Sequence, residues 1–157
     1  MRLETAIWMF PIALTLHNLE EFIGIPAWSQ HAGFWMSPVG STEFGVAAGL
    51  LTVMGYAVTY WGRRAGKQSA GTYVMAGFVF AMLLNAFFHL GATVGLRAYA
   101  PGVVTALLIN LPVMSYLLRR LFREKWITEP KAILAFILVP LGLLALIPVL
   151  LRVGRSI

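Results

Sequence analysis

Five apolar runs of about twenty residues each constrain this chain more than any other feature. They cover residues 4–23, 43–61, 71–96, 101–121 and 132–151. A helix rising about 1.5 Å per residue needs about 20 residues to cross a hydrocarbon core of about 30 Å. In that medium every backbone amide and carbonyl must find its partner within the protein, which a helix achieves by itself. The runs therefore predict an all-α fold, a polytopic transmembrane bundle of about five helices, as a single transmembrane domain over residues 1–157. Pro11, Pro112, Pro140 and Pro148 fall inside the runs, where neighbouring helices can satisfy the freed carbonyls.

Charge agrees with this reading. Only 11% of residues are charged and 59% are hydrophobic, whereas soluble domains carry about a quarter charged residues. The net charge of +6 does not indicate nucleic acid, because the basic residues form short clusters between the apolar runs. There is no cysteine, which removes disulfides, thiolate metal sites and thiol nucleophiles. The first run is not read as a cleaved signal peptide: it lacks an A-x-A-like site and contains His17, Glu20 and Glu21.

Lys and Arg concentrate on cytoplasmic loops. An N-in arrangement places Arg2, Arg63, Arg64, Lys67, Arg119, Arg120, Arg123, Lys125 and Lys131 inside, and leaves Arg97, Arg152 and Arg155 outside. The N-terminus is therefore expected in the cytoplasm. Residues 24–42 mix Gly and Pro with Trp28, Phe34, Trp35 and Met36, the composition of a loop lying at headgroup level. The fifth run has no polar side chain between Ala132 and Leu151, so it is expected to face lipid or a second copy in a homodimer.

The chemistry resides in the polar residues of the first and third runs. In His17-Asn18-Leu19-Glu20-Glu21, residues three and four apart share a helix face, so Glu20 and Glu21 bracket His17. Asn85 and His89 share a face of the third helix in the same way. His17 and His89 each lie a few residues beyond the midpoint of an outward-running helix, and Thr105 enters the fourth helix at similar depth. These groups can therefore converge whichever way the protein is inserted. Ionisable side chains near the membrane centre cost a few kcal/mol on insertion scales and usually pair or bind something. Two imidazoles and two carboxylates suit a divalent metal, zinc first, with iron or manganese also accepted.

The plainer readings are that the two Glu, close to the end of their run, are solvated among headgroups, and that the His residues are helix glue. Thr52, Tyr56 and Tyr60 form a stripe read as packing, and Asn110 is read as structural. His31 is expected in solvent, with a smaller expectation that it folds back as a third imidazole.

At His17-Asn18-Leu19-Glu20-Glu21 the chain resembles the bacterial HXXEE-motif family of small membrane proteins, and the Asn85/His89 pair is similar to that family's pattern. The resemblance implies a helical protein of the bacterial inner membrane in which His17, Glu20 and Glu21 matter. It implies no reaction. From the residues themselves, the leading expectation is a metal-dependent, hydrolytic membrane enzyme acting on a lipid or other hydrophobic substrate. His17, Glu21 and His89 would hold the metal, with Glu20, Glu21 and Asn85 as the catalytic set. The alternatives are a metal-free acid–base isomerase or cyclase of an isoprenoid-like substrate, a proton- or ion-coupled carrier, and an accessory subunit with the cluster as glue.

Overall fold

The computed structural model describes residues 1–157. The chain is all helical: α1 (Leu3–Ala6), α2 (Met9–Trp28), α3 (Ser41–Ala65), α4 (Ala70–Leu96), α5 (Val103–Thr105), α6 (Leu111–Arg123) and α7 (Glu129–Arg155). A π-helical turn, Ala106–Asn110, joins α5 to α6, making one segment over Val103–Arg123. That segment, α3, α4 and α7 are each long and apolar enough to cross a membrane. The fifth long helix, α2, carries His17, Glu20 and Glu21 and packs chiefly on α3.

The boundaries follow local chemistry. The first long helix starts at Met9 rather than Glu4 and ends at Trp28 rather than Ile23. Pro11 therefore occupies the first turn, where its missing N–H goes unused. The shift moves His17 to the helix centre and leaves Glu20 and Glu21 about two turns from the end, so neither lies at the helix terminus. At α3, the Gly40 N–H donates to Glu43 Oε2 at 2.7 Å; at α4, the Thr72 N–H donates to Ser69 Oγ at 3.2 Å. The π turn precedes Pro112, which has no N–H to offer the Leu108 carbonyl four residues back; the wider turn accommodates that gap.

At one end of the bundle the short connections are tied together. The Gln68 N–H donates to the Trp126 carbonyl at 2.8 Å, and the Thr128 N–H donates to the Tyr73 hydroxyl at 3.2 Å. The main core lies beside them, built on Ile7, Phe10, Met75, Met114, Leu117 and Leu121. A smaller cluster of Ile25, Val39, Phe44 and Ala48 sits at the other end. The Arg155 guanidinium pairs with the Glu43 carboxylate there.

The last helix does more than face outward. Ile133, Leu134, Ile137, Leu138, Leu141 and Leu144 are more than half exposed, but α7 also packs along both α3 and α4. Its close approach to α4 depends on Gly77: a Cβ there would lie 2.6 Å from Val139 Cγ2 and 3.0 Å from the Ala135 carbonyl oxygen. Gly77→Ala is expected to destabilise the bundle by about 1–3 kcal/mol, the usual cost of overpacking, seen as a lower melting temperature in detergent. An unchanged melting temperature would mean that α7 does not seat against α4 at this point.

Candidate metal centre

On α2, His17 and Glu21 are one turn apart; on α4, Asn85 and His89 have the same spacing, and the two pairs face each other. Glu21 Oε1 lies 3.0 Å from His89 Nε2 and 3.5 Å from His17 Nε2. The imidazole rings meet edge to face at 4.9 Å and 81°. One ligand atom from each of His17, Glu21 and His89 lies within 4.8 Å of the other two. Both imidazoles are buried, at 1% and 3% exposure.

His89 Nε2 is buried without an aligned hydrogen bond, although Glu21 Oε1 is close. An unmet buried nitrogen costs about 1–3 kcal/mol, and coordination of a cation between the three groups would relieve it. Two imidazoles and a carboxylate form a donor set used by three-ligand zinc sites and accepted by other first-row ions. The cluster is therefore capable of holding a divalent metal.

Glu20 takes a different place. Adjacent helical residues point about 100° apart, and Glu20 turns towards the connection between α4 and α5. Its Oε1 accepts from the Tyr99 hydroxyl at 2.6 Å and the Val104 N–H at 3.2 Å; its Oε2 accepts from the Thr105 N–H at 2.7 Å and the Thr105 hydroxyl at 2.6 Å. Burial, then the bond to Glu20, push the Tyr99 phenol up to about 12, so Tyr99 remains a donor at physiological pH.

These bonds determine the His17 tautomer. Thr105 has one hydroxyl proton, and Glu20 takes it. At its 2.8 Å contact with His17 Nδ1, Thr105 must therefore accept, so Nδ1 carries the imidazole proton. His17 Nε2 is left with its lone pair, which here accepts from the Asn85 amide at 2.8 Å; a cation held by His17 would take the place of that donor. A ligating histidine usually has its second nitrogen held in this way, and loss of such a partner typically costs 10–100-fold in metal affinity. Thr105→Val is expected to weaken metal binding by about that factor, while Thr105→Ser keeps it, measured by competition with a chromophoric chelator. Equal affinity in the valine variant would show that the tautomer is set elsewhere.

Two supporting residues were not singled out in the sequence. Asn18 donates to the Ala48 carbonyl at 3.1 Å and to Thr52 Oγ1 at 2.8 Å, which anchors α2 to α3 and gives Thr52 a bonding role; its signal was an amide inside an apolar run. Gly102, at φ +97°, lies over both imidazoles; nothing in the sequence marks it beyond a glycine in a short connection. His31 is exposed and lies outside the cluster. Asn110 is fully buried on the π turn, with neither amide atom hydrogen bonded.

The cluster forms part of the wall of a cavity of about 530 Å³ between α2, α3, α4 and α7. Eighteen of its 24 lining residues are hydrophobic, and the polar ones include His17, Asn18, Glu21, Asn85 and His89. Trp35 packs edge-on against Phe88 at 5.7 Å. This Trp lies so close to α4 that a Cβ on Gly95 would sit 2.7 Å from its ring.

Residues 8–117 match the family described as "Protein of unknown function with HXXEE motif". The chain is also 38% identical over 149 residues to the "Uncharacterized protein YrkK" of Bacillus subtilis (strain 168), covering 94% of each chain. No solved structure matches it significantly. The chain belongs to the HXXEE-motif family, and the His and second Glu of its motif are the residues that α2 brings against His89.

Proposed function

We propose that the protein is a metal-dependent hydrolase of the bacterial inner membrane, with a cytoplasmic N-terminus, acting on a lipid or other hydrophobic substrate. One observation carries this reading: a His–Glu–His donor set forms part of the wall of an apolar cavity within the bundle. Zinc is the favoured ion, with iron or manganese possible. A divalent ion held there would polarise a substrate carbonyl and lower the pKa of water.

The residues divide the work. His17, Glu21 and His89 hold the ion. Glu21 turns Oε1 to both imidazoles, which leaves Oε2 to accept a proton from the attacking water. The water oxygen joins the acyl carbon, the bond to the leaving group breaks, and the proton passes to that group. Asn85, in the cavity wall beside His17, orients the substrate carbonyl. Glu20, which does not line the cavity, supports His17 through Thr105 as a positioning residue. The exposed flank of α7 would meet membrane lipid or a second copy.

A second reading is metal-free proton transfer on an isoprenoid-like substrate, favoured by the unbroken chain from Glu20 through Thr105 to His17. Elemental analysis of detergent-purified protein separates the two. About one equivalent of zinc, iron or manganese is expected in the wild type, and none in His17→Ala or His89→Ala. Well-folded wild-type protein that is active without metal would overturn the first reading and leave the second.

A further inference from the structure

We propose that the cavity takes an uncharged, elongated hydrophobic molecule whose reacting bond lies between two apolar stretches, and that it rejects phosphate-bearing lipids. This rests on the reading above only in taking the cavity as the substrate site.

Charge is the first argument. The lining contains no Lys or Arg, and Glu21 is its one carboxylate. Phosphate is ordinarily recognised by Arg or Lys, bidentate Arg above all. Here a phosphate would meet a carboxylate in an apolar wall, where an unpaired charge is expensive. A divalent ion at the cluster would keep part of its charge beside Glu21, but the wall offers no second cation for a phosphate's remaining charge.

Shape is the second. On α2 the lining begins at Leu14, one turn before His17, and continues to Trp28, about two turns beyond Glu21. At about 1.5 Å per residue this is roughly 20 Å. Phe78 and Pro140 line the same cavity well before His89 and Leu151 do on their own helices. Apolar wall therefore continues on both sides of the polar cluster. A lipid whose charged headgroup lay at the cluster, or just beyond it, would bury it against Ile25 and Phe44. A neutral molecule with a single ester, amide or similar group in mid-chain matches the wall along its length. The volume also falls within the range of about 300–1,000 Å³ usual for small-molecule sites.

Tryptophan fluorescence in nanodiscs tests this, since Trp28 and Trp35 line the cavity. The probes are a wax ester brominated in mid-chain and a phosphatidic acid brominated in its acyl chains. Saturable quenching by the ester is expected, at least about tenfold tighter than by the phosphatidic acid. It should be lost in Trp28→Phe/Trp35→Phe and abolished by Ala81→Phe, or by Leu143→Phe from the opposite wall should the first variant not fold. Equal or tighter saturable quenching by phosphatidic acid would overturn the proposal, as would absence of saturable quenching by the ester. The same titration on His89→Ala keeps the two readings distinguishable. Ester binding that persists there, beside a wild type without metal, would remove the metal-dependent reaction and leave the neutral-ligand cavity standing.

Discussion

Glu21→Gln is expected to empty the metal centre and abolish activity, whereas Glu20→Gln keeps the metal at full stoichiometry but binds it more weakly. The two residues are neighbours in the chain and identical in chemistry, so their contrast isolates position. Glu21 Oε1 is the one carboxylate oxygen near both imidazoles, at 3.0 and 3.5 Å, and an amide of the same shape brings no charge to the ion. The loss should exceed the roughly 10–100-fold in affinity that an outer partner typically carries. Glu20 reaches the centre only through Thr105, so its substitution should fall within that range. Metal stoichiometry after dialysis, and affinity by chelator competition, read both effects. Equal losses in the two variants would show that both carboxylates coordinate, and that the separation of Glu20 from the cluster does not govern binding.

The second large effect is expected at Gly102. Its φ of +97° favours glycine, and a Cβ there would lie 2.7 Å from His89 Cε1, 2.9 Å from His17 Cε1 and 2.9 Å from His89 Nδ1. Gly102→Ala therefore combines backbone strain of order 1–3 kcal/mol with a collision against both imidazoles. The variant should lose the metal and melt at a lower temperature. His89→Ala removes much of the collision but not the strain. The double variant is therefore expected to melt less far below His89→Ala than Gly102→Ala melts below the wild type. If both differences are the same, the rings are not what the missing Cβ protects.

Much of the fold was legible along the chain, because a hydrocarbon core of about 30 Å forces an apolar run at each crossing. The helix ends were less so. Pro11 and Pro26 are equally compatible with a break or with an included residue, and only the packed helix shows that Pro11 opens it and Pro26 lies within it. α7 reads as lipid-facing from composition, since a helix apolar all round does not reveal which flank neighbouring helices will cover. In the bundle it supplies Pro140, Leu143 and Leu151 to the cavity wall.

The candidate site divides in the same way. By itself the sequence determined that His17, Glu20 and Glu21 share one side of a membrane helix, because 3.6 residues make a turn, and that Asn85 and His89 lie at matching depth. Which carboxylate meets His89 was decided only by tertiary structure. Glu20 and Glu21 both neighbour His17, and about 100° of rotation separates them, so the choice depends on where α4 and the α4–α5 connection lie. The same packing brings Thr105 to His17 and lays Gly102 across both rings. The contacts to His17 join residues more than eighty positions apart, and local periodicity carries no information over that distance.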